Sequence, residues 1–250
     1  MALEITALTV AAIISVLLPL VVLGIILKKN KEQWKSILGL FLCGGLIYVA
    51  MQWGIKEHGL TWLFNNTNFS GFMINHYIPY LLVVAFVGAL LTTLAQLFVV
   101  ILFKRKLSFG KVIALSVGYS MLEAGFLVGV KSINTIVQLV KGTDMELGTT
   151  TLELFLSGYE RILLFIIEMA ITVVFVYFIK MKKAFGGGLI AVFCYTMAAF
   201  LPGFFLAFTL PDYYEVFDRS IALTMVYIIL TAAALASLVM IKVFKHQMED

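Results

Sequence analysis

The chain has 250 residues, 62% hydrophobic and 13% charged, and a formal net charge of +4; its mean hydropathy is +1.05. Soluble domains carry about 25% charged residues and about 45–50% apolar ones, so a water-soluble globular fold is excluded. The basic residues fall in short groups between apolar runs, which excludes a nucleic-acid-binding face and leaves the pattern of cytoplasmic loops in a membrane protein.

The first apolar run covers 5–27. Glu4 precedes it with no Lys or Arg, and Lys28 and Lys29 follow it, the reverse of a cleavable signal. It reads as a transmembrane helix with its N-terminus outside. Further runs at 36–53, 77–103, 110–131, 155–179, 187–209 and 220–241 are each near the ~20 residues a helix needs to cross a bilayer. The expected fold is therefore all-α: a polytopic transmembrane helix bundle of about seven spans, with 1–250 forming one integral membrane domain. Basic groups follow alternate runs: Lys28, Lys29, Lys31 and Lys35; Lys104, Arg105, Lys106 and Lys111; Lys180, Lys182 and Lys183; Lys242 and Lys245. These hold 13 of the 18 Lys and Arg, and the opposite loops carry Glu57, Asp144, Glu146, Asp212, Glu215 and Asp218. That alternation places the N-terminus out and the C-terminus in.

The stretch GIKEHGLTWLFNNTNFSGFMINHYIP, 54–79, reads as an aromatic-rich outer loop at the membrane interface, with His58 and His76 as solvated interfacial groups. Cys43 and Cys194 lie inside apolar runs without metal-ligand spacing, so no disulfide, metal or cofactor is expected.

Polar groups at membrane depth cost about 2.5–3.5 kcal/mol for a charge, so each is a functional candidate. Glu123 lies 12 residues past Lys111 and Glu168 12 before Lys180, both roughly 18 Å deep at ~1.5 Å per residue. Thr92, Thr93 and Gln96, counted back from Lys104, and Tyr119 and Tyr195, each about 12 Å in, share that layer. Tyr119 and Glu123 are four apart, so the phenol is expected to reach the carboxyl. Two carboxyls at one depth can share a proton. Gly125 and Gly129 form a small-xxx-small pair where another helix can approach. The pair Glu160–Arg161 is placed near the outer interface. For any one of these polar residues, interhelical hydrogen bonding alone would also account for its presence.

The runs LLPLVVLGIILKKN, VGYSMLEAGFLVGV, GYERILLFIIEMAITVVFVYFIK and GLIAVFCYTMAAFLPGFFLAF resemble the YhfC family of glutamic-type intramembrane peptidases, relatives of the CAAX-processing and bacteriocin-immunity group. The family pattern has Glu-Glu-x-x-Arg in the third span and a His four residues before the Glu of the fourth. It continues with Glu-Arg in the fifth span and a His followed four later by Asp in the sixth. Here TTLAQ gives Thr92, Thr93 and Gln96; Tyr119 and Tyr195 replace the histidines, and Ala199 the Asp. Glu123 and the Glu160–Arg161 pair match. Thr is no base near neutral pH and Tyr a poor substitute for His. The resemblance thus implies a bacterial, multi-pass plasma-membrane protein whose catalytic layer is degenerate, with Thr92, Thr93, Gln96, Tyr119, Glu123, Glu168 and Tyr195 lining a cavity. The expected partners are membrane lipid and a membrane peptide or a partner protein's transmembrane helix, in the role of regulator, accessory subunit or immunity protein. Two alternatives stay open: an active peptidase using Glu123 and Glu168, and a proton-coupled transporter.

Overall fold

A chain in lipid must satisfy every backbone N–H and C=O within itself, so apolar runs of this length form helices. The computed structural model describes residues 2–65, 67–103, 107–141, 150–210 and 218–249, and among these there are helices and no strand. In chain order they are α1 (Ala2–Lys29), α2 (Trp34–Val49), α3 (His58–Phe64), α4 (Thr67–Asn75), α5 (Tyr77–Phe103), α6 (Phe109–Ala124), α7 (Lys131–Val140), α8 (Thr151–Lys180), α9 (Ala184–Ala207) and α10 (Arg219–Glu249). A π-helical segment, Ala50–Glu57, joins α2 to α3, and a second, Gly125–Val130, joins α6 to α7. Among the described residues six helices are long and apolar enough to cross a membrane: α1, α5, the continuous α6–α7, α8, α9 and α10. The fold is an all-α polytopic bundle.

The expected second span, 36–53, is built differently. Its α-helical part, α2, is 16 residues long, and the rest of the run passes into the π-helical segment and α3. The stretch expected as a loop at 54–79 is largely helical in α3 and α4, where Phe69 packs against Phe72 at 6.4 Å and Tyr80 at 5.9 Å. Lys104, Arg105, Lys106, Asp144, Glu146, Asp212 and Glu215, on which part of the charge alternation rests, lie outside the described residues.

The central helix is α8, packed against α1, α6, α9 and α10. Its second half, with Ala170, Val173, Phe175, Val176 and Ile179 all buried, is apolar around its circumference, as a helix enclosed by others must be. Its start is fixed by a capping box: Thr150 Oγ1 accepts from the Glu153 N–H at 3.3 Å and Glu153 Oε2 from the Thr150 N–H at 3.1 Å. Its other end reverses into α9 through Met181–Lys183, with Lys182 at φ 60.

Small residues set the closest crossings, as expected where lipid offers no hydrophobic drive between helices. The tightest pairs α2 with α6: a Cβ on Gly44 would stand 2.0 Å from the Leu115 carbonyl, and one on Gly118 1.9 Å from that of Phe41. Gly158 sits over Ala11 of α1. The Gly125–Gly129 pair does not form such a crossing. Gly125 has open space beside it, and Gly129 meets only Val16 and its own helix, at about 4 Å. Lys245 Nζ lies 5.9 Å over the Phe109 ring, the Tyr177 and Phe244 rings meet at a tilt with centroids 4.7 Å apart, and Gly110 abuts Asn30. The basic ends of α1, α6, α8 and α10 therefore gather at one end of the bundle.

Candidate functional site, a carboxyl pair in an interhelical cleft

One wall of the central cleft comes from α6 and α8, the other from α5 and α9. Its volume is about 260 Å³, and Tyr119, Glu123, Glu168, Tyr195 and Thr92 lie on its surface with apolar residues such as Leu81 and Ala198. That is just below the ~300–1,000 Å³ of sites that enclose a small molecule. It suits a side chain or two of a larger ligand.

The two carboxyls meet here. Glu123 and Glu168 face the same cleft, and both also line the small gap behind it. Ser120 Oγ donates to Glu168 Oε2. Both glutamates retain some exposure, toward the cleft. On the other side of the pair a gap of about 10 Å³ is lined by Ser120, Glu123, Glu168 and Arg161. Arg161 stands two turns before Glu168 on α8, and its Nη2 lies 3.4 Å from Glu160 Oε1. Its Nε is buried without a hydrogen-bond partner. The Glu160–Arg161 pair is thus no separate interfacial feature, because Arg161 reaches the carboxyl layer.

Tyr119 does not bond Glu123. Its hydroxyl pairs with Thr92 Oγ1 at 3.1 Å, and its ring meets Tyr48 of α2 edge-on at 5.5 Å, which turns the phenol toward α5. Tyr195 is held by a directed chain of hydrogen bonds. Gln96 Nε2 donates to Tyr195 Oη at 2.9 Å, and Thr172 Oγ1 donates to the Glu168 carbonyl at 2.9 Å. The Thr172 hydroxyl has one hydrogen, so its 3.2 Å contact with Tyr195 is donated by the phenol. Gln96 is fully buried behind Tyr195 and lies off the cleft wall, as does Thr93, whose Oγ1 has no partner.

Of the seven residues expected to line a cavity, five are brought to the cleft and two stand behind it. Ser120, Thr172, Tyr48 and Arg161 complete the constellation. Ser120 is three residues before Glu123 and Thr172 four after Glu168, a spacing that marks both as same-face neighbours. Tyr48 carries no such mark, being brought in by the glycine crossing of α2 on α6. Among the described residues no three His, Cys, Asp or Glu side chains converge as a metal site would require. No protein-family model, no curated protein and no solved structure matches this chain.

Proposed function

We propose that this is a catalytically degenerate, peptidase-like membrane protein that binds a membrane peptide, or a transmembrane helix of a partner protein, at the cleft. The supporting observation is how the polar groups spend their hydrogen bonds. Tyr119 is tied to Thr92, Tyr195 to Gln96 and Thr172, and Ser120 to Glu168. Peptide hydrolysis needs a base poised on water and free donors aimed at the developing oxyanion. Here the hydroxyls on the cleft close on one another, on Gln96 or on Glu168, and Arg161, whose Nε has no partner, lies off the cleft wall. What remains at the surface is a mostly apolar cleft with the two carboxyls side by side on it, the arrangement that lets an apolar segment dock and be recognised through a polar group of its own. The likeness to YhfC-type peptidases, with Glu123 and Glu160–Arg161 kept and the remaining pattern replaced, points the same way. The setting that goes with this reading is a bacterial plasma membrane, with the N-terminus outside and the C-terminus inside.

Mild-detergent co-purification with wild type and Glu123→Gln, read by mass spectrometry, tests it. Gln keeps size and polarity and removes the titratable carboxyl. An intact membrane protein or peptide that co-purifies with wild type and is weakened by the substitution is the expected result. Cleaved fragments present with wild type and absent with the variant would mean a live peptidase.

One observation favours a second reading, a proton-coupled carrier: two carboxyls of a membrane bundle that line one cleft are the equipment of proton relays. Proton uptake by liposomes that depends on Glu123 and Glu168 would replace the binding reading with this one.

A further inference from the structure

A cavity larger than the cleft lies elsewhere, between the N-terminal halves of α8 and α10. It encloses about 890 Å³ and runs from Arg219 and Glu153 at one end to Leu235 at the other. Its walls beyond the first turn are mostly apolar, with Leu156, Leu223 and Ile228 beside the hydroxyls of Thr224 and Tyr227. Tyr159 and Thr231 close its floor with a 2.9 Å hydrogen bond. From Leu223 to Leu235 is 12 residues, about 18 Å along α10 at ~1.5 Å per residue. One leaflet of hydrocarbon is about 15 Å deep, half of a ~30 Å core.

The mouth is charged in an asymmetric way. Glu153 accepts Arg219 Nε at 2.8 Å and Nη2 at 3.1 Å, and it accepts the Thr150 N–H as well. Its side chain is 12% exposed and Arg219's is 54% exposed. The carboxylate is therefore saturated and covered, while the guanidinium is held by one edge and presents the other edge, with its remaining N–H donors, outward. An arginine fixed in place with a free two-donor edge is the group that takes a phosphate bidentately.

We propose that this groove is a phospholipid site: one acyl chain lies between α8 and α10, and the phosphodiester sits on the outer edge of Arg219. The match is in length, in polarity and in charge. The apolar part is about as long as a leaflet is deep, and the donor edge stands at the end where the chain gives way to the headgroup.

Native mass spectrometry of the delipidated full chain tests it, with phosphatidylglycerol and a diacylglycerol of the same acyl chains added back in turn. One phosphatidylglycerol per chain is expected to bind, at least about tenfold more tightly than the diacylglycerol. Ala232→Trp, which fills the groove and leaves the ion pair alone, is expected to abolish that binding, and Arg219→Gln to bring it down to the diacylglycerol level. Equal binding of the two lipids by wild type would overturn the proposal without reference to any variant. So would phosphatidylglycerol binding unchanged in Ala232→Trp, or a co-purifying polypeptide that disappears in that variant.

Discussion

The hydroxyl of Thr172 has a single hydrogen and gives it to the Glu168 carbonyl, so it orients the Tyr195 phenol, and Gln96 holds that phenol from the far side. Such interhelical bonds average about 0.6 kcal/mol and reach about 1.7 in membrane bundles. Tyr195→Phe is expected to cost about that much in an equilibrium unfolding measurement while leaving binding at the cleft in place; a loss of binding at unchanged stability would make Tyr195 a recognition group instead. The two carboxyls line the same cleft and the same gap behind it. A double-mutant cycle of Glu123→Gln and Glu168→Gln should show a coupling of about 0.5–3 kcal/mol, and strictly additive effects would separate the two. Lys182 adopts a left-handed conformation at φ 60, which costs an L-residue roughly 1–2 kcal/mol. Lys182→Gly relieves that strain but adds freedom to the unfolded chain, so a small net gain in thermal stability is expected.

Among the elements, α2 and α6 carry the closest approach, carbonyl of one against glycine of the other, twice. Any side chain at Gly44 or Gly118 must push backbone aside, and overpacking of that kind costs about 1–3 kcal/mol or more. Gly118→Ala is expected to lower stability by at least that amount and to disturb Tyr119, the next residue; Gly125→Ala, with open space beside it, is the neutral control. A melting temperature equal for both variants would mean the crossing is looser than described. The sequence marked Gly125 and Gly129 as a contact surface, but the crossing is made by Gly118 one turn or more earlier, and the three glycines differ only in what lies opposite. It was equally silent on the helical continuation of α2 through 50–57 and α3: the polar residues of IKEH resemble a loop, yet the backbone runs on as π-helix and then α-helix. The layer of Glu123, Glu168, Tyr119 and Tyr195 was legible, because a polar group in a hydrocarbon run is conspicuous and depth follows from counting residues. Arg161 was misplaced for the same reason: counting gives the depth of a Cα, while a long side chain extends roughly a helical turn beyond it.

At the scale of the whole molecule, α8 is the axis around which α1, α6, α9 and α10 are arranged, and α5 packs on α9 to form with it the outer wall of the cleft. The basic ends of α1, α6, α8 and α10 share one end of the bundle, which should face the cytoplasm. Single cysteines at Lys31 and Lys182 should resist a membrane-impermeant thiol reagent in intact cells, and one at Arg219 should react. Both reference thiols, Cys43 and Cys194, are only partly buried and would first be replaced by Ala.

The central claim is that the cleft holds an intact polypeptide segment. A photo-crosslinking amino acid placed at Leu81, on the cleft wall, and at Phe98, 67% exposed on the lipid-facing side of the same helix, tests it in native membranes. A full-length membrane protein or peptide captured at Leu81, absent at Phe98 and lost when Glu123→Gln is added, is the expected outcome. Capture of truncated fragments at Leu81 would contradict it, as would no capture at all.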